Sequence, residues 1–162
     1  MELLSPVLQR LYADWNTLRR DGRHPRRDYF EPAHFRYILG RMSLIDVHSE
    51  PRRFFYRLHG TDMARWLGFD LTGKFMDEAP NMDWARLACQ HLAAVVDSAQ
   101  PSVAWHFDEL VGEQLWNLEA LVLPLSRRGD RLDMLISAVF HHKPNTFPEL
   151  ARPHSQLQTL IG

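Results

Sequence analysis

Leu4, Val7 and Leu8, Leu11, Trp15 and Leu18 recur at three- and four-residue spacing, which places them on one stripe of a helix. Ser5 and Pro6 suit its cap and first turn, and Asp21-Gly22 its end. After an arginine-dense link, 31–39 reads as a second short helix stopped by Gly40. From Met42 the period falls to two. Ser43, Ile45 and Val47 alternate with Leu44, Asp46 and His48, and Phe54, Tyr56 and Leu58 with Phe55, Arg57 and His59. This predicts two strands joined by a hairpin over 49–53. A short helix over 62–67 follows, with Thr61 as its cap, and then a turn-rich connector over 68–73. Asn81 caps the longest helix, which runs to about Gln100 before Pro101 stops it. Its apolar face is Trp84, Ala88, Leu92, Val95 and Ala99, with His91 on one flank. Three strand-like runs come next, around 103–108, 115–125 and 132–141, the last two joined by the turn Arg127-Arg128-Gly129-Asp130. Pro144, Pro148 and Pro153 break up a tail expected to end in one short helix.

A hairpin separated by helices from three further strands argues for an α+β domain built on one five-stranded sheet. The long helix must bury its stripe on a face of that sheet, and a pocket belongs between the two. The expected division is an N-terminal helical extension with an arginine-rich loop over 1–41, a core over 42–143 and a C-terminal tail over 144–162.

Composition narrows the class. A chain of 162 residues, 45% hydrophobic and 24% charged, is an ordinary globular domain and needs neither disulfide nor metal to fold. The formal charge of −1 excludes a strongly basic nucleic-acid binder. The lone cysteine, Cys89, suits a reducing compartment. With no apolar run near the length of a membrane span and no signal-peptide layout at the start, a cytoplasmic location is expected.

The run Arg53-Phe54-Phe55-Tyr56-Arg57-Leu58-His59-Gly60-Thr61, followed by Gly68-Phe69-Asp70-Leu71-Thr72-Gly73, resembles the signature of a bacterial family of stand-alone PAS-like proteins, with its "YRL-x-GT … G-x-DLTG" pattern. The helix bearing Trp15, the link after it and the late Leu123-Pro124-Leu125 are similar to that family too, so the resemblance covers about residues 10–142. It implies a PAS-like fold, a five-stranded antiparallel sheet with helices on one face and an extra N-terminal helix. It also implies a sensory or interaction module that binds a ligand or dimerises and has no chemistry of its own. Physically, Gly60, Gly68 and Gly73 supply backbone shapes closed to larger residues. Asp70 and Thr72 suit turn hydrogen bonds, and Arg57 is placed to pair with an acid on a neighbouring strand.

The resemblance directs attention to several candidates. PAS modules that bind haem hold its iron from a histidine on the long helix, and His91 has that address; the alternative is a half-buried structural histidine. The Asn-Cys-Arg motif of light-sensing flavin members is missing, since 72–77 reads Thr-Gly-Lys-Phe-Met-Asp and Cys89 lies inside the helix. Trp66, Phe69, Phe75, Trp84, Trp105, Phe107 and Trp116 would surround the space between helices and sheet, either lining a pocket or filling the core. Arg23, Arg26 and Arg27 are candidates for a phosphate or other anion, against a solvated loop paired with acids. Leu4, Leu8, Leu11, Trp15 and Leu18 have the spacing of a two-helix seam and are the candidate homodimer contacts, against packing on their own domain. No metal-ligand spacing, nucleophile elbow or phosphate loop stands out, so neither a metal site nor catalysis is expected.

The main reading is a cytoplasmic sensory module, acting as a homodimer or through an unidentified partner protein that carries the output. Two alternatives remain. One is a small α+β-cone enzyme of the ketosteroid-isomerase type, with Asp46 or Asp108 as base and Tyr56 as oxyanion donor. The other is a purely structural dimerisation module with a filled core.

Overall fold

The computed structural model describes residues 3–19, 23–111, 114–143 and 155–159, of which 108–111, 114–115 and 155–159 are described by their backbone alone. Three α-helices, α1 (Pro6–Leu18), α2 (Thr61–Leu67) and α3 (Met82–Ser98), accompany one sheet. Its strands are β1 (Met42–Ser49), β2 (Arg52–Leu58), β3 (Ser102–Val111), β4 (Gln114–Leu125), β5 (Met134–His142) and β6 (Ser155–Thr159). They run in the order β2-β1-β5-β4-β3-β6, every pair antiparallel. The first five are the strands the two-residue period marks. The sixth corrects the expected tail helix: 155–159 pairs with β3 from Ser102↔Thr159 to His106↔Ser155. Without it the backbone groups along that edge would lack partners, which is what an added strand satisfies.

The segment 31–39 is also corrected. It is a chain of tight turns, with hydrogen bonds from His34 N to Glu31 O, Phe35 N to Pro32 O and Ile38 N to Phe35 O. Three-residue steps turn Phe35 and Ile38 inward together, and both are buried. At α2 the cap is Gly60 rather than Thr61, which is the first helical residue. A Cβ on Gly60 would lie 2.4 Å from the Gly40 carbonyl oxygen, so backbone meets backbone there and only glycine fits. The cap of α3 is as expected: Asn81 Oδ1 accepts from Trp84 N at 3.0 Å.

Alternation along the strands divides the core in two. Leu44, Leu121, Leu123, Leu125, Met134 and Ile136 face one way and meet Leu8, Leu11 and Trp15 of α1 together with Phe30, Phe35 and Ile38. Ile45, Tyr56, Val122 and Leu135 face the other way and meet Leu71, Met76, Leu92 and Val95. The extra N-terminal helix therefore lies on the face opposite α2 and α3. The near-continuous apolar run Ala120-Leu121-Val122-Leu123 of β4 requires it, because such a strand has two faces to bury.

Two polar contacts fix α1 to the sheet. Glu119, fully buried in mid-sheet, accepts from Leu4 N at 2.7 Å and Ser5 N at 2.9 Å, and its Oε2 lies 2.9 Å from His142 Nε2. These are amides at the mouth of α1 that its own turns leave without partners. Trp15 Nε1 donates to the Pro124 carbonyl at 2.8 Å. Pro124 lies beyond the end of the β3 pairing, so its carbonyl on that side is open to the indole.

Candidate functional site

A cavity of about 380 Å³ lies between α3 and the sheet. Its walls are mostly apolar, from Leu87, Leu92, Leu118, Val122 and Val139, and polar side chains enter it, Ser137 of β5 and four others. Ser43 comes from β1, Tyr56 from β2, His106 from β3 and His91 from α3. Strand alternation puts the first three on the α3 side; helix spacing turns His91 toward them. His91 is 5% exposed and Ser43 1%, and His91 Nε2 and Ser43 Oγ have no hydrogen-bond partner. An unpartnered buried polar atom costs on the order of 1–3 kcal/mol. Burial, with the neighbouring His106, pushes the His91 imidazole down to about 3, so it is neutral at physiological pH. Burial also raises the Tyr56 phenol well above the ordinary tyrosine range, and its hydroxyl meets only the Met76 sulfur, at 3.9 Å. The box is thus apolar with neutral donors and acceptors. Asn81 and Asp83 stand at its rim, where Asp83 is exposed.

A haem does not fit this cavity. Its volume is near the lower end of the roughly 300–1,000 Å³ of small-ligand sites. Its lining holds no lysine or arginine to meet propionates, and Asp83 would oppose them.

Of the aromatic candidates, Trp84 lines the cavity with His91, and Phe69 backs Trp84 edge-on at 5.4 Å. The others are placed elsewhere. Trp105 and Phe107 face α1, stacked at 5.9 Å, because they alternate with Ala104 and His106; their expected place beside His91 is corrected by one step of strand register. Trp66 and Trp116 gather around His141, at 3.8 and 5.9 Å, and burial with the Arg41 charge pushes that imidazole down to about 4. Phe75 packs on Phe55 at the β2 edge, beneath the Arg53 guanidinium at 3.6 Å.

The arginines at 23–27 do not converge. Arg26 is held by Asp28, with Nε donating to Oδ1 at 3.0 Å, and Arg23 lies by the β4–β5 turn with Arg128 and Asp130. Arg27 faces a second cavity, of about 790 Å³, on the α1 side of the sheet. The homodimer stripe is corrected as well. Leu8, Leu11 and Trp15 are at most 1% exposed, and Leu4 and Leu18 pack on the same cluster, so the chain's own sheet takes up the surface meant for a second copy. The cone-enzyme reading loses its geometry. Asp46 faces the α1 side, where Arg57 Nε donates to it at 2.6 Å and Arg127 pairs at 2.8 Å, whereas Tyr56 faces α3. The Asp108 side chain lies outside the described residues.

The motif residues make local structural contacts. Asp70 Oδ1 accepts from Thr72 N at 2.8 Å, Thr72 Oγ1 from His59 N at 3.0 Å, and Arg57 pairs with an acid on the next strand. Sequence reasoning missed Ser43 and His106. The signal was available: each is the polar residue between apolar neighbours on a strand whose two faces are both buried.

Five antiparallel strands in the order 2-1-5-4-3 with α2 and α3 over a cavity define a sensory-type α+β module. A family model described as PAS domain matches residues 3–139, and the chain belongs to the PAS domain family. Comparison with curated proteins and with solved structures returned no match. The family match begins at residue 3, so α1 lies inside it, sharing its core with the sheet. Among the described residues no helix is long and apolar enough to cross a membrane.

Proposed function

We propose that this PAS domain is a non-catalytic, cytoplasmic sensor that takes a small, uncharged, partly polar ligand in the cavity under α3 and relays its presence to a partner protein, a second copy of the chain included. The observation that carries this reading is the pair of buried atoms without hydrogen-bond partners, His91 Nε2 and Ser43 Oγ, in a mostly apolar box. A ligand offering one acceptor and one donor gains more there than in water, because it also relieves the unmatched atoms. A neutral His91 and uncharged Ser43 and Tyr56 select against ions. Met82, 62% exposed between the rim residues Asn81 and Asp83, gives a partner an apolar handle beside the mouth. Occupancy signals only if the ligand binds two states of the module with different affinity. The lone Cys89 supports a reducing compartment.

The test is a native mass spectrum of freshly purified protein beside an absorption trace. Added mass that leaves on denaturation, and that is lost in His91→Leu and Ser43→Ala, is the expected result. A clean protomer mass in wild type, unchanged after incubation with a neutral-metabolite library, would sink the ligand and leave signalling by contact alone.

A further inference from the structure

We propose that the cavity on the α1 side of the sheet is a second, separate binding site, and that it takes an amphipathic anion: an oxyanion head on an apolar tail. Its floor is the sheet itself, Met42 and Leu44 of β1 with Met134 and Ile136 of β5. Its outer wall is the turn segment ahead of β1, where Phe30 and Phe35 stack at 4.8 Å. With about 790 Å³ enclosed between them, it has twice the room of the cavity under α3.

Charge at the mouth is of one sign. Arg27 from the turn segment, Arg57 from β2 and Arg127 from the β4–β5 turn all line the cavity, and among the described residues no aspartate or glutamate does. Two of the three are partly neutralised. The Asp46 carboxylate lies behind them, 2.6 Å from Arg57 Nε and 2.8 Å from an Arg127 amino nitrogen. One acid divided between two guanidiniums leaves both with donors to spare, since each carries five N–H groups. Arg57 and Arg127 side chains are each 47% exposed, so those donors reach the opening. Arg27 donates to the Phe30 carbonyl at 3.1 Å and has no carboxylate within ion-pair distance among the described residues. The other acid nearby, Asp62 beside Gly40, is paired with Arg65 at 3.3 Å.

Two guanidiniums sharing one carboxylate, with Arg27 as a third, leave an excess of positive charge over an apolar chamber. A carboxylate or a phosphate monoester meets that excess with paired N–H···O bonds, the geometry for which the guanidinium fork is suited. An alkyl tail then displaces water from the floor between Met42 and Ile136. A neutral lipid satisfies only the chamber, and a small inorganic anion only the mouth. The structure asks for both in one molecule.

The test is calorimetric titration of the full-length protein with decanoate, decyl phosphate and decanol, each below its aggregation threshold. Decanoate or decyl phosphate should bind roughly ten-fold or more tightly than decanol, as charge-assisted hydrogen bonds imply. Whichever of the two binds better names the head group. Arg27→Gln, at a half-buried position with no acid to strand, should weaken it about ten-fold. Asp46→Asn should act in the opposite direction and tighten it, because it releases Arg57 and Arg127. His91→Leu, on the other face, should change nothing. Equal binding of decanol, no binding of either anion at millimolar concentration, wild-type affinity in Arg27→Gln, or loss of binding in His91→Leu would each overturn the proposal. The last of these would place the ligand under α3 and leave the sensor reading intact.

Discussion

The cavity under α3 and the cavity on the α1 side share one sheet, and one-residue alternation decides which side chain serves which. On the α1 side the buried groups that anchor the helix to the sheet have answers, although His59 Nε2, beside that cavity, has no hydrogen-bond partner. Glu119 is met by two amides and His142, Trp15 by the Pro124 carbonyl, Asp46 by two arginines. The charge left over stands at the surface. On the α3 side the emphasis is reversed: the rim carries ordinary exposed groups, and two atoms without hydrogen-bond partners, His91 Nε2 and Ser43 Oγ, are inside. A fold retains unmatched buried atoms at a cost, so they mark the place where something besides stability has been kept. The α1 face anchors the helix while offering an electrostatic mouth; the α3 face offers a neutral interior.

That contrast fails first if truncation on the α1 side is cheap. Trp15→Ala removes one of the two tryptophans of that face and the hydrogen bond to Pro124, and it should cost about 4 kcal/mol in urea unfolding. A cost below about 1 kcal/mol would mean α1 is not held by its own sheet, and the homodimer reading of the stripe would return. Glu119→Gln is the next largest. The amide replaces one acceptor oxygen by a donor facing donors, which should cost about 2 kcal/mol and let the start of α1 exchange its amide protons faster. Unchanged protection at Leu4 and Ser5 would show that the carboxylate is not the anchor.

On the α3 side polar-to-apolar changes should be nearly free. Ser43→Ala deletes an atom with no partner and should shift stability by less than about 0.5 kcal/mol. A larger loss would reveal a buried partner for Ser43 Oγ and weaken the case for an open cavity.

How much of this the sequence carries follows from the range of each signal. Periodicity is local, so α1, α3 and the first five strands are legible, down to Asn81 as a cap. The combined motif over 53–61 and 68–73 carries the family resemblance, but the reason for Gly60 is that a Cβ there would lie 2.4 Å from the Gly40 carbonyl oxygen, twenty positions away, which no local pattern states. Alternation places Trp105 opposite His106, yet which of the two faces α3 depends on the register with β4. A full helical stripe on α1 shows that the helix has something to bury and is silent on whether the surface it meets is a second copy or its own sheet. The second cavity was the least visible part. Its three arginines come from positions 27, 57 and 127, and only the order β2-β1-β5 brings them to one mouth.

The effect that separates the two faces most cleanly is in the dependence of stability on pH. His91 stays neutral in the folded protein down to about 3, against an ordinary 6.5 in the unfolded chain. Below 6.5 the unfolded chain therefore binds a proton that the folded one refuses, and stability, complete above that pH, falls as the pH falls toward 3. The slope attributable to His91 should approach about 1.4 kcal/mol per pH unit well below 6.5. His91→Leu should match or exceed wild-type stability at pH 7.5 and show a shallower decline by pH 5. Part of the decline should persist, since burial lowers His59, His106 and His141 in the same direction. Arg27→Gln should reproduce the wild-type slope, because a guanidinium keeps its proton throughout this range. Identical slopes in wild type and His91→Leu would mean that His91 protonates in the folded state. Its cavity would then be open to water, and the neutral interior that distinguishes the α3 face from the α1 face would not exist.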